Sequence, residues 1–278
     1  MMNKNIQKGL LVLLFIVLGF IALFPIYYLL MSSFRPSEKM FRSGIVLFVK
    51  LEEMTLQNYK FLFSESGMVY FYWYRNSILI TALFTTGALF LTSLVGYGLA
   101  VYNFKLRNLI LTAVLFIMMI PLEILMLPLY KLLIALKLMN TYQGVVLPFI
   151  VSPIGIFFFR QYATGIQKDY IDAGRIDGCT EYGIFFKIIA PLMKPAYSAM
   201  AILLSMRSWN DFVWPLIVLR TNKMFTIPIG LAGLLSPYGN NYDLLLSGAI
   251  LAIIPVILVF IFNQKYFVSG ITIGGIKG

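Results

Sequence analysis

Residues 244–262 read Leu244-Leu245-Leu246-Ser247-Gly248-Ala249-Ile250-Leu251-Ala252-Ile253-Ile254-Pro255-Val256-Ile257-Leu258-Val259-Phe260-Ile261-Phe262, without one charged side chain. At 1.5 Å per residue this segment makes a helix of roughly 28 Å, close to the hydrocarbon thickness of a bilayer. Lipid offers no partner to a peptide N–H or C=O, so a span must satisfy its own backbone as a helix. Upstream of it lie five further apolar runs, at about 9–31, 76–100, 109–129, 144–159 and 196–219. The reading is an all-α polytopic membrane protein with six transmembrane helices.

Composition agrees. Of 278 residues, 60% are hydrophobic and 12% charged, against about 25% charged in soluble domains. The net charge of +11 would point a soluble protein toward nucleic acid. Here the cations lie between the apolar runs without forming a basic stripe, so contact with the lipid bilayer's headgroups is the simpler use and no nucleic acid is expected. The chain has one cysteine, Cys179, and no histidine. That excludes an internal disulfide, Cys/His zinc sites and imidazole acid–base chemistry.

The sequence divides into a first helix with an external loop over 1–70, a transmembrane domain over 71–263, and a short cytoplasmic tail over 264–278. Lys4 and Lys8 before the first run resemble the start of a signal peptide. The run is too long for one and no small-x-small site follows it, so it reads as a retained helix with Pro25 as a kink site. Of the 22 Lys and Arg, 11 fall on the side of the N-terminus, ten on the other and Arg207 inside a run. Short loops carry the positive-inside signal, and the first external loop, with six of the ten, is discounted. Both termini are then expected in the cytoplasm of a bacterial cell membrane.

The polar connection 160–195 carries the most local information. Within it stands Lys168-Asp169-Tyr170-Ile171-Asp172-Ala173-Gly174-Arg175-Ile176-Asp177-Gly178-Cys179-Thr180-Glu181. Asp169 is placed to cap a helix, with Asp172 at the capping-box position. Asp177-Gly178 is a turn signal. Thr180 is placed to cap a second helix whose Ile184, Phe185, Ile188 and Ile189 share a face, and Pro191 is expected to end it. These rules predict a helix, a turn and an amphipathic helix at the membrane surface, which alone could be a packing element and nothing more.

This segment resembles the EAA loop of binding-protein-dependent ATP-binding-cassette (ABC) importers, whose pattern is Glu-Ala-Ala, three residues, Gly, nine residues, Ile, one residue, Leu-Pro. Asp172, Ala173 and Gly174 take the first places, Gly178 the next, and Ile188, Ala190 and Pro191 the last. Asp172, Gly174 and Ala190 depart in type but not in spacing. Arg75-Asn76-Ser77 resembles the start of the type 1 importer transmembrane domain, and Ser208-Trp209-Asn210-Asp211-Phe212-Val213-Trp214-Pro215-Leu216 and Gln264-Lys265-Tyr266-Phe267-Val268-Ser269-Gly270 with Gly274-Gly275-Ile276-Lys277-Gly278 resemble its sugar-importing branch. Within it, Pro121-Leu122-Glu123, residues 177–181 and residues 236–243 look most like permease subunits of arabinose and arabino-oligosaccharide importers. The resemblance implies coupling to an ATPase through Asp172, Ala173, Gly174, Asp177, Gly178, Ile188 and Pro191. It also implies a homologous second permease, an ATPase subunit dimer that holds the ATP and Mg, and an extracellular sugar-binding protein. The loop 220–243 is then the one expected to face that protein. No P-loop occurs in the chain, so it is expected to be a transport subunit, not an enzyme, and to need no cofactor of its own.

Glu123, Arg207, Asn210 and Asp211 lie inside apolar runs. A mid-membrane charge costs about 2.5–3.5 kcal/mol on insertion scales, so each is expected to face protein or water. Arg207 and Asp211, four apart, are close enough to pair on a helix. Pro121 and Pro128 put Glu123 near a helix end. Sugars are held by polar hydrogen bonds and aromatic faces, which makes Trp209, Asn210, Asp211 and Trp214 candidates for lining the substrate pathway. An ion-coupled secondary transporter is the alternative, but six helices with few midplane acids fit it poorly. A metal-dependent membrane enzyme would need Asp169, Asp172 and Asp177 as ligands, yet these fit caps and a turn better.

Overall fold

Three of the six apolar runs form unbroken helices and three are bent in the middle. The structure, a computed structural model, describes residues 4–36, 51–64, 67–236 and 239–275. The unbroken helices are α1 (Lys4–Ser33), α3 (Val69–Val101) and α13 (Tyr242–Gly275). Each contains a stretch long and apolar enough to cross a bilayer. Between α1 and α3 lies the short α2 (Gln57–Phe61).

The other spans are pairs. α4 (Arg107–Met118) and α5 (Leu122–Ala135) meet at 102°. α6 (Tyr142–Val146, prolonged by a 3₁₀ turn to Phe149) and α7 (Pro153–Thr164) meet at 46°. After α8 (Asp169–Ile176), the segment Glu181–Leu192, here α9, meets α10 (Lys194–Trp209) at 77°. Counting each bent pair as one span gives up to six crossings. α11 (Val213–Val218) and α12 (Ile227–Gly233) complete the helices. A two-residue hairpin pairs β1 (Leu235–Ser236) with β2 (Gly239–Asn240).

These breaks correct the expected helices three, four and five; the fourth, expected over 144–159, bends between Phe149 and Pro153 and runs on to Thr164. A continuous helix 109–129 was expected, but Pro121 lacks the N–H that a helix interior needs and stands as the N-cap of α5. A continuous helix 196–219 was expected, but helical hydrogen bonding stops at Trp209 and resumes at Val213. The second span begins at Val69, earlier than expected, because Tyr70, Phe71, Tyr72 and Trp73 are as compatible with a helix as the apolar run they precede. The last helix runs on through the expected tail to Gly275. Ile276 to Gly278, Pro237 and residues 37–50 of the expected external loop lie outside the described residues.

Segments 72–229 and 255–278 form one compact unit. The larger of its buried clusters runs from Tyr97 and Ala88 of α3 through Phe159 of α7. It continues through Ile184, Phe185 and Ile189 of α9 to Met200 and Leu204 of α10, and ends at Trp214 and Val218 of α11. In lipid, helices associate through close packing and small residues, since apolar burial alone gives no advantage. α3 and α7 do this: a β-carbon at Gly96 would stand 2.7 Å from Phe159 Cβ and 2.8 Å from the Arg160 nitrogen. Segments 1–71 and 230–254 form the other unit. There Asn58 donates to the Ser33 and Arg35 carbonyls at 2.9 and 2.8 Å, and Tyr70 donates to Gly248 O at 2.7 Å.

Candidate functional site

The polar connection folds as a clasp. α8 ends in a Schellman motif: Cys179 N–H donates to Gly174 O at 2.9 Å, and Gly178 N–H donates to Arg175 O at 3.1 Å. Gly178 takes the left-handed conformation that the motif requires, with φ of 76°. Thr180 then opens α9 as expected, its Oγ1 accepting from Gly183 N–H at 3.1 Å. Asp169 does not cap. It is the first helical residue, Lys168 takes the cap position, and no side chain bonds there. The acids Asp169 and Asp172 instead sit in the first turn, where the helix dipole favours them.

Pro191 does not end α9. The helix continues to Leu192 because it widens to π geometry over Phe185–Ile189, and Pro191 falls where a new α turn begins. A π turn shifts the backbone partners, so the missing N–H of Pro191 leaves less of a gap. The bend comes at Met193. On α9, Ile184, Phe185 and Ile189 are buried and Ile188 half-buried, the face that was expected. Gly174 is the point of close approach between the two helices. A β-carbon there would lie 2.8 Å from Ile188 Cδ1 and 3.1 Å from Ile184 Cγ1.

The turn is cross-tied by charge. Arg175 Nε donates to Glu181 Oε1 at 2.8 Å, and Arg175 pairs with Asp172 at 3.3 Å. Glu181 also accepts from Tyr102 Oη at 2.5 Å. Tyr102 is the residue just past the end of α3, so the clasp is bonded to the foot of that helix. The Arg175 guanidinium, and then the Tyr102 hydroxyl, hold the Glu181 carboxyl below its ordinary value. Partial burial, and then the bond to Glu181, push the Tyr102 phenol up, so it stays a donor. Sequence rules had no access to this tie, because Tyr102 and Glu181 are 79 residues apart. The outward surface of the clasp is apolar at its tip: Ile176 is 85% exposed and Tyr182 76%.

The polar residues of the fifth run separate. Asp211 and Trp214 line one cavity of about 200 Å³ together with Glu123, Arg207 and Ser208. Trp214 is buried and its Nε1–H donates to Gly144 O at 3.3 Å. The Asp211 carboxylate accepts from the Trp214 backbone N–H, which ties down the start of α11. Asn210 stays outside this cavity, its amide donating to Met206 O at 2.8 Å. Trp209 is buried edge-on against Tyr74, at 6.0 Å. Arg207 and Asp211 do not pair as expected: the helix ends between them, and among the described residues no ion pair joins them within 4 Å. Glu123 does stand at a helix start, in the first turn of α5.

At the opposite end of α3 from the clasp, Asn76 donates to the Lys223 and Phe225 carbonyls at 2.8 and 2.9 Å, and accepts from Tyr142 Oη at 2.7 Å. Trp73 Nε1–H donates to Asn222 O at 2.8 Å. Arg220 donates to Tyr130 Oη at 2.8 Å, and its backbone N–H to Asn140 Oδ1 at 2.9 Å. The first part of the loop 220–243 is therefore fastened to α3 and to the α5–α6 turn.

Residues 92–273 match the family model of the binding-protein-dependent transport system inner membrane component. The chain is similar to the arabinooligosaccharides transport system permease protein AraQ of Bacillus subtilis (strain 168), 57% identical, with 99% of this chain and 97% of that one covered. It is 33% identical to the lactose transport system permease protein LacG of Rhizobium radiobacter, covering 93% of this chain and 92% of that one. Its fold matches a chain in the crystal structure of a bacterial ABC transporter involved in the import of the acidic polysaccharide alginate. There the TM-score is 0.82 at 21% identity, with 96% of this chain and 99% of that one covered.

Proposed function

The chain belongs to the family of binding-protein-dependent transport system inner membrane components and is a permease subunit of a carbohydrate ABC importer, and from that premise we propose that its cargo is an arabino-oligosaccharide. The support is the 57% identity to a permease named for that cargo, against 33% to one named for lactose. Such an importer joins permease, ATPase and binding protein. In the proposed complex this chain pairs with a homologous second permease, an ATPase dimer docks below, and an extracellular binding protein delivers the sugar.

The clasp is the proposed coupling element, and the observation that carries this is its bond to α3. Ile176 and Tyr182 present apolar surface outward, while Arg175, Glu181 and Tyr102 tie the same clasp to the foot of a 33-residue helix. Asp172, Ala173 and Asp177 lie on the exposed side with Gly178, whereas Gly174 and Ile188 form its inner seam. When ATP draws the ATPase subunits together, a clasp held by them moves and carries α3 and the core cluster with it. The energy for the change comes from the different fit of the ATPase to the two states.

The charge pattern supports cytoplasmic termini: once the long first loop is discounted, the Lys and Arg of the remaining connections are concentrated on the side of the N-terminus, including Lys105, Arg107, Lys168, Arg175, Lys187 and Lys194. Copurification of the chain with its second permease and ATPase tests the coupling role. Gly178→Asp places a side chain at φ of 76° and a charge on the docking tip, and the ATPase is expected to be lost. ATPase that remains bound would sink the proposal. Uptake by reconstituted complex should be competed by arabinotriose; competition by lactose alone would overturn the cargo.

A further inference from the structure

We propose that the turn joining α3 to α4 seats the headgroup of one anionic phospholipid, on the membrane face nearest the clasp. The inference goes beyond the importer reading and does not depend on the cargo assigned above.

The turn is rigid. α3 ends at Val101 and α4 begins at Arg107. Arg107 folds back over the end of α3: Nε donates to Leu99 O at 2.8 Å, Nη2 to Ala100 O at 3.3 Å, and Nη1 to Asn103 Oδ1 at 2.7 Å. The last carbonyls of a helix have no partner inside it, so the guanidinium closes α3. Leu99 also shares a buried cluster with Val114 of α4 and Ile156 of α7, which fixes the two helices on either side of the turn. Three of the five guanidinium N–H groups are used within the turn, and two remain for an acceptor.

The charge is unanswered. Asn103, Phe104, Lys105, Arg107 and Asn108 line an open cleft of about 440 Å³. Among the described residues no carboxylate lies within 4 Å of Lys105 or Arg107, and the sequence has no acidic residue between Glu65 and Glu123. Glu181, which reaches the neighbouring Tyr102, is held by Arg175 and by that tyrosine. Two cations and two carboxamides around one cleft suit an anion with several acceptor oxygens, and a phosphodiester is one.

The apolar side chains beside the cations identify the source of that phosphate. From Leu109 to Leu122 the sequence has no charged residue, so Lys105 and Arg107 stand at the edge of an apolar run, the level at which headgroups lie. Phe104, Leu106 and Leu109 are exposed next to them. A soluble phosphate would meet the cations and leave these three side chains bare. A phospholipid meets both, with its phosphate on Lys105 and Arg107 and its acyl chains along Phe104, Leu106 and Leu109. Phosphatidylethanolamine and phosphatidylcholine bring an ammonium of their own against the two cations, whereas phosphatidylglycerol brings one net negative charge. A headgroup held here steadies the turn that follows α3, next to the Tyr102 bond that ties the clasp to it.

The test uses the complete purified complex in phosphatidylcholine vesicles, with a trace of phosphatidylglycerol that carries a diazirine at the head of one acyl chain. Labelled peptides are mapped by mass spectrometry after illumination. Wild type is expected to label within residues 103–110. Plain phosphatidylglycerol should compete, while phosphatidylethanolamine and inorganic phosphate should not. Lys105→Glu is expected to lower the labelling about tenfold, and Lys105→Arg to keep it. Lys105 is exposed, so the complex should melt as wild type does; if it does not, the competition on wild type decides alone. Wild type unlabelled at 103–110 would mean that another subunit covers the turn. Equal competition by phosphatidylethanolamine would mean that headgroup charge is not read, and competition by inorganic phosphate would make the cleft a site for a soluble anion. Unchanged labelling of a stably folded Lys105→Glu would put the headgroup elsewhere. Each of these overturns the proposal. The labelling needs no transport, so failure of the assigned cargo or of the coupling role would leave this readout intact.

Discussion

The clasp at 169–193 and the mid-membrane segment 207–214 are both polar interruptions of an apolar sequence, and the structure resolves them in opposite ways. In the clasp, the turn is answered nearby: Gly178 and Cys179 by α8 carbonyls, Gly183 by Thr180, Arg175 by Asp172 and Glu181. In the mid-membrane segment Arg207 and Asp211 line a cavity with no ion pair joining them within 4 Å among the described residues, and Asp211 is answered by the Trp214 backbone N–H. A segment cross-tied by its own side chains is suited to be held and moved as a body.

The largest effect that would break this contrast is in the core joining the two regions. Phe185 of α9 is 2% exposed and packs at 5.2 Å from Tyr97 of α3. Phe185→Ala is expected to cost about 3–5 kcal/mol, seen as a fall in the melting temperature of the purified complex and loss of coupled uptake. A complex that melts as wild type does would mean that the clasp is not anchored through this ring. Gly174→Val comes next. Its branched side chain meets Ile188 and Ile184 inside 3.2 Å, an overpacking worth about 1–3 kcal/mol. Gly174→Ala, by contrast, asks that the end of Ile188 turn aside and Ile184 give by a few tenths of an ångström, and helix propensity returns up to about 1 kcal/mol. Near-wild-type melting of Gly174→Ala beside a destabilised Gly174→Val is the expected pair, and equal destabilisation would place the strain elsewhere.

How much of this was legible follows the same division. The turn at Asp177-Gly178 and the cap at Thr180 were readable because their partners lie within a few residues, and so was the buried face of α9. Asp169 was misread as a cap because the helix starts one residue earlier than its side chain needs. Pro191 was misread as a stop because nothing local announces a π turn. The pairing of Arg207 with Asp211 assumed one continuous helix; the break at 210–212 is set by packing of Trp214 against Phe149 and Gly144. The gathering of Glu123 with Arg207 and Asp211 depends on segments more than 80 residues apart, and no spacing rule reaches that far. The likeness to importer permeases located the clasp, yet Tyr102, which ties it to α3, was missed altogether.

Tyr102→Phe sharpens the comparison at a smaller scale. It removes the bond between clasp and α3 while Arg175 still holds Glu181. Because the pair is exposed, stability should change by about 1 kcal/mol or less. The expected signature is mechanical: ATPase activity persists, but sugar imported per ATP falls two- to threefold, on the order of 0.5 kcal/mol of coupling. If sugar per ATP is unchanged, the clasp moves α3 through the buried core alone. Thr180→Ala, which deletes the α9 cap, should cost about 1 kcal/mol in melting with no such split between hydrolysis and uptake.

The smallest effect is one of pH. Arg175 and Tyr102 lower the Glu181 carboxyl from its ordinary value of 4.5. A depressed carboxylate contributes its stability above the unfolded value and loses it as pH falls through the folded one. The cross-tie is therefore complete throughout the neutral range and weakens only in acid. The difference in melting temperature between wild type and Glu181→Gln should stay constant from about pH 8 to pH 5.5, then shrink below about pH 4.5. A difference that varied between pH 6 and 8 would mean that a different group governs the clasp.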